Sequence, residues 1–171
     1  NKLIENWVLL PSLFLFIFIL NITKVYEPDT FWQIKAGEII LKDLSLPFYE
    51  PFSFTIPQNL WNNTEWLSEL YSYFIYSLFG FSGLILAKAF IVTLAYVILF
   101  RVLSARGVSV YLAYPLISCA ALISMFRFTE RPHIFTLLFL AIFLLILEQF
   151  RLKGKGKLYL LPIFMVAWAN F

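Results

Sequence analysis

The chain has 171 residues, 61% of them hydrophobic and only 13% charged, which is more apolar surface than a soluble domain of this length can turn inward. The formal net charge of +3 is small, and the one basic run, 151–157, is short and lies between two hydrophobic stretches, which argues against nucleic acid as a partner. A single cysteine, Cys119, leaves no internal disulfide and no thiolate metal cluster.

Residues 7–22 form the first apolar run, about 24 Å as a helix and long enough to cross a bilayer when begun at Leu3. Lys2 ahead of it resembles the charged start of a secretion signal, but no small-x-small cleavage pattern follows, so the run reads as an uncleaved span. The polar segment 24–69 comes next and holds seven of the ten acidic residues: Glu27, Asp29, Glu38, Asp43, Glu50, Glu65 and Glu69. Within it, Thr30-Phe31-Trp32-Gln33 fits a capping box and predicts a helix from Asp29 or Thr30 to about Lys42. Phe31, Ile34, Ile39 and Leu41 alternate there with Lys35, Glu38 and Lys42, the pattern of an amphipathic helix lying on a membrane surface. Pro47, Pro51 and Pro57 break 46–58 into extended or turned chain. A further helix, 66–79, stops at Gly80-Phe81-Ser82-Gly83 and would be about 21 Å long, short for a crossing.

Charge decides how the remaining runs are threaded. With 66–79 kept at the interface, the spans 84–103, 110–126 and 134–150 place Arg101, Arg106, Arg151, Lys153, Lys155 and Lys157 in two inner loops with no acid among them. The acidic loop, 23–83, then lies outside, and Lys88 sits near the outer end of its helix, where it can snorkel to the headgroups. The expected fold is an all-α membrane protein of about five transmembrane helices, with a long first outer loop carrying interfacial amphipathic helices. It forms a single membrane domain over 1–171 with its N-terminus cytoplasmic. The last run, 158–171, starts a fifth span, so the chain reads as the N-terminal part of something longer.

In this threading two outer loops face one compartment. One carries Glu27-Pro28-Asp29; the other, Arg127-Phe128-Thr129-Glu130-Arg131-Pro132-His133, packs two arginines, an acid and the only histidine into seven residues. Ionisable groups so close to hydrocarbon are costly unless paired or functional, and arginine forks match phosphate oxygens. A carboxylate opposite such a turn suits transfer from a lipid phosphate to an acceptor hydroxyl. Each residue also has a plainer role: Asp29 as an N-cap, Glu27 as a solvated charge, Glu130 in a local ion pair with its neighbours, and His133 as an interfacial anchor. The Trp and Tyr residues around the loop read first as an aromatic belt.

This plan, a first span, a long outer loop with an acid just after it, interfacial helices and then short-looped spans, resembles the GT-C membrane glycosyltransferases, among them the protein O-mannosyltransferases and aminoarabinose transferases. Asp29, in Glu27-Pro28-Asp29-Thr30-Phe31-Trp32, matches the position of that family's first-loop acid. The stretches Trp61-Asn62-Asn63-Thr64-Glu65-Trp66-Leu67 and Leu78-Phe79-Gly80-Phe81 look like the end of the loop and its return to the membrane. The resemblance implies an inverting sugar transfer from a polyprenyl-phosphate donor to an acceptor hydroxyl at the outer face of a bacterial inner membrane. Asp29 would be the catalytic base, and Arg127, Arg131 and His133 would bind the leaving phosphate. Glu130 would orient an arginine or hold a divalent metal if one is used; no metal ligand set and no other cofactor is assigned. Glu130 stands where many relatives carry aspartate, and the proline-rich acidic motif of the mannosyltransferases is missing. The rival expectation is a non-enzymatic membrane protein, a transporter or an assembly subunit.

Overall fold

The computed structural model describes residues 8–53, 59–154 and 156–171; the start of the first apolar run, Pro57 and Lys155 lie outside the described residues. The described chain is helical, with one isolated antiparallel bridge, Tyr49 to Leu60, in the proline-broken loop. The helices are α1 (Leu10–Leu20), α2 (Asp29–Asp43), α3 (Trp66–Ala105), α4 (Val110–Ser124), α5 (His133–Lys153) and α6 (Leu160–Asn170). A 3₁₀ turn, Met125–Arg127, prolongs α4. Three stretches, Trp66–Ala105, Val110–Arg127 and His133–Lys153, are long and apolar enough to cross a membrane. The apolar helices α1 and α6 are shorter. Leu15, Ile19, Phe90, Ile123, Ile163 and Val166 all turn outward from the bundle, a distribution suited to hydrocarbon and ill suited to water.

The core forms around the second half of α3. Ile91, Val92 and Tyr96 meet Leu13 and Ile17 of α1, Ile117 and Ala121 of α4, and Ile134, Phe135 and Phe139 of α5. Phe128 plugs into the same cluster and stacks edge-on against Tyr96, which pins the loop between α4 and α5 to the core. Pro132 occupies the N-cap position of α5, and Gly154 ends that helix with φ 61°.

Helix α3 is two limbs. Gly80 has φ 63° and ψ −158°, far outside helical geometry, a conformation that glycine adopts without steric cost. Ser68 and Ser72 before it line the same crevice as Leu84 and Lys88 after it, whereas a straight helix would set Ser68 and Lys88 about 30 Å apart. The limb 66–79 therefore doubles back on the start of 81–105. The stop expected at Gly80-Phe81-Ser82-Gly83 is this hinge.

Helix α2 takes the expected bounds, but its inward face differs from the expected one. Thr30, Gln33, Ile34, Ala36, Gly37 and Ile40 are buried, while Phe31 and Leu41 are exposed. The buried face mixes Ile34 and Ile40 with small and polar residues and packs closely on the first limb of α3: a Cβ at Gly37 would lie 2.2 Å from the Glu69 carbonyl oxygen and 2.8 Å from Tyr73 Cβ. On the outer face Glu38 accepts bonds from Lys35 and Lys42 at 2.7 and 2.5 Å, and these two, Lys35 first, draw its carboxyl pKa down to about 2.

Gly37→Ala is expected to force the two helices apart and lower stability by about 1–3 kcal/mol, the usual cost of overpacking. Lys35→Ala, on the opposite face, is expected to change it by less than about 0.5 kcal/mol. Thermal unfolding in detergent, followed by circular dichroism, checks both; equal stability of the two variants would contradict the close contact.

Candidate functional site

Two loops distant in sequence meet at one end of the bundle. The chain leaves α1 through Asn21, whose side-chain amide caps back to the Ile17 carbonyl at 2.8 Å, and then runs through Thr23 and Glu27 into α2. Arg131 arrives from the other loop. Its Nη2 donates to Glu27 Oε1 and to Asp29 Oδ2, both at 2.5 Å. One guanidinium nitrogen thus joins two carboxylates 102 and 104 positions away. The Arg131 and Asp29 side chains remain 41% and 40% exposed, so the pair is open to a ligand. Bonding to Glu27 first, then the charge of Asp29, raises the Arg131 pKa above its ordinary value.

Asp29 makes no capping bond. It is the first residue of α2, with Pro28 in the N-cap position, and the backbone N–H of Thr30 donates to the Glu27 carbonyl instead. The capping box is not formed either, since Thr30 Oγ1 is buried without a hydrogen-bond partner among the described residues. The carboxylate of Asp29, in the first turn of α2, is bonded to Arg131 and makes no capping hydrogen bond among the described residues.

A second ion pair lies directly beneath. Lys88 is 2% exposed and Glu130 6%, with Nζ and Oε1 2.7 Å apart, and Lys88 Nζ also donates to Thr23 Oγ1 at 2.8 Å. The ammonium contacts Glu130 without a well-aligned hydrogen bond, and Glu130 Oε2 has no partner among the described residues. Beside the pair is a crevice of about 10 Å³, lined among others by Ser68, Tyr71, Ser72 and Arg131, room for about one water molecule.

Two expectations are corrected here. Glu130 pairs with Lys88 and orients neither arginine. Lys88 does not snorkel: it falls on the stripe of α3 shared with Leu84, Val92 and Ala95, all buried, so its stem points into the bundle. The other two candidates stand apart from Asp29. Arg127 is exposed and forms no ion pair among the described residues. His133 closes the loop on itself by donating from Nε2 to the Arg127 carbonyl. Glu27, read from sequence as a solvated charge, is instead a full partner of Arg131.

Next to the charges stands an aromatic wall. Trp32, one turn beyond Asp29 on α2, lies with Phe52 and Trp61 in a three-ring cluster with centroids 6.0–6.4 Å apart. Glu69 is fully buried behind it and accepts from Asn63 Nδ2 at 2.6 Å. Among the described residues no group of three or more His, Cys, Asp or Glu side chains is arranged to hold a metal. No protein-family model, curated protein or solved structure matches the chain.

Lys88→Met leaves Glu130 buried and uncompensated and is expected to cost about 3–5 kcal/mol of stability. The double variant Lys88→Met, Glu130→Met removes both charges and is expected to recover most of that loss. Unfolding of the four proteins of this cycle in one detergent measures the coupling; additive losses would show that the two side chains are not a pair.

Proposed function

We propose that the protein is an inverting membrane glycosyltransferase that moves a sugar from a polyprenyl-phosphate donor to an acceptor hydroxyl. The observation that carries this reading is the open Asp29–Arg131 contact: a carboxylate free of any capping duty beside a guanidinium, at the end of an apolar helical bundle. The pattern of spans and the acid just after the first of them, which resemble the GT-C enzymes, supply the sugar and the lipid phosphate.

The step then follows from the charges. A donor phosphate takes the exposed side of Arg131 and competes with its two carboxylates. Glu27, the more buried of the two, keeps its bond, and Asp29 is released. The acceptor oxygen attacks the anomeric carbon while its proton passes to Asp29. The bond from that carbon to the phosphate oxygen breaks with its electron pair on the oxygen, and Arg131 offsets the growing negative charge. Glu27 thus takes the orienting role that Glu130 was expected to fill.

A non-enzymatic reading has one observation in its favour. Lys88 and Glu130 form a buried charge pair inside the apolar bundle, the kind of feature found along transporter pathways. The same experiment separates the two. Asp29→Asn keeps size and removes the proton acceptor, so sugar transfer from polyprenyl-phosphate donor in membranes is expected to fall at least ~100-fold at normal protein level. Arg131→Lys keeps charge and loses the fork, and is expected to weaken donor binding. Transfer retained by Asp29→Asn would remove the catalytic assignment.

The proposal includes five spans, a cytoplasmic N-terminus and a bacterial inner membrane, with the site outside. With Cys119 replaced, a cysteine at Asp43 is expected to react with a membrane-impermeant thiol reagent applied from outside, and one at Lys153 is not. Labelling of both from the same side would overturn that threading.

A further inference from the structure

The far end of the bundle, about 23 Å along α5 from His133 to Glu148, holds a second charge cluster. Glu148 is 5% exposed and accepts from Arg106 Nη2 at 2.8 Å and from Arg151 Nη2 at 2.6 Å. Two cations on one carboxylate leave a net positive charge. Arg106 keeps 53% of its side chain exposed, and its remaining donors have no partner among the described residues.

Arg106 also closes one end of an apolar groove of about 390 Å³ between three helices. Tyr96, Leu99 and Leu103 of α3 line it on one side, Ile117 and Ala120 of α4 on another, and Leu144 of α5 on the third. The α3 residues and Arg106 are spaced three, four and three apart, a single stripe. From Tyr96 to Arg106 the stripe runs about 15 Å, half the roughly 30 Å hydrocarbon thickness of a bilayer. The groove is therefore about as long as one leaflet is thick, and Arg106 is the one cation among its described lining residues. Exposed Arg101, Lys153 and Lys157 extend the positive field at the same end, and such fields draw anionic lipids. A neutral lipid or an apolar helix could fill the groove but would leave the net charge of the cluster unmatched.

We propose that this groove binds an anionic phospholipid, one acyl chain lying along the α3 stripe and the phosphate resting on Arg106 and Arg151. The site is independent of the Asp29–Arg131 site and of the activity proposed for it.

The test titrates the purified full chain in neutral detergent with phosphatidylglycerol or with phosphatidylcholine of equal chain length, and counts bound lipid by native mass spectrometry. Phosphatidylglycerol is expected to bind about fivefold or more tightly than phosphatidylcholine, the usual worth of one basic residue or more at an anionic surface. Arg106→Gln leaves Glu148 bonded to Arg151, so no buried charge is stranded, and it is expected to abolish most of that preference. Ala120→Phe fills the groove and is expected to weaken both lipids, with helicity by circular dichroism matched to the unaltered chain. Equal binding of the two lipids by the unaltered chain, or a preference that survives Arg106→Gln, or undiminished binding by Ala120→Phe, would each overturn the proposal.

Discussion

Lys88 sits eight residues past a helix hinge, on the stripe of α3 that also buries Leu84, Val92 and Ala95, and it is almost wholly buried. An ammonium in such a place is tolerated only with a counter-charge and hydrogen-bond acceptors around it. Glu130 supplies the charge and Thr23 an oxygen. That single requirement draws the end of α1 and the loop before α5 to the same point. Once Glu130 is held, its neighbour Arg131 is placed within reach of the loop after α1, and Glu27 and Asp29 meet it there. The exposed Asp29–Arg131 pair is thus positioned by a buried pair beside it.

A second constraint acts on the same end from the other side. Helix α2 can approach the first limb of α3 only because Gly37 has no side chain to strike the Glu69 backbone, and the limb can lie there only because Gly80 turns it back. Thr30 and Gln33 face this contact and Asp29 sits just ahead of it, so the angle of α2 decides where the carboxylate points. Trp66 ties the start of the limb to Asn170 at the end of α6 through a 2.7 Å bond from its indole N–H. Pro132, at the N-cap of α5, sets where Arg131 leaves the loop.

The parts of this that depend on local composition were legible in the sequence: the apolar runs that became α1, α4 and α5, the bounds of α2, the break at Gly80. The meeting of Asp29 with the Arg131 loop was also within reach, because threading the runs by charge brings those two loops to one end. What escaped was the choice of partner. Whether Lys88 faces lipid or core turns on its phase along α3, and Leu84, Val92 and Ala95 carry that phase four and seven residues away. A lone lysine on a core stripe demands an acid. Of the acids in or next to the later helices, Glu148 has Arg106 and Arg151 beside it, which leaves Glu130. Glu27 was missed for a related reason: a capping pattern in Asp29-Thr30-Phe31-Trp32-Gln33 accounts for the first acid and assigns no work to the second. Gly37 is explained only by the Glu69 backbone it meets, and no local pattern announces a contact between two backbones.

The separation of Lys88 from Glu130 along the chain has a temporal meaning. During synthesis the helix bearing Lys88 emerges first, and about 40 residues must follow before its acid exists. At roughly 5–20 residues per second that interval is about 2–8 s, during which a lysine within an apolar helix carries an insertion penalty of up to about 2.5–3.5 kcal/mol with no counter-charge to offset it. Thr23, already made, is the only one of its two partners present in that interval. The Lys88–Glu130 pair can close only once the loop between α4 and α5 has been made.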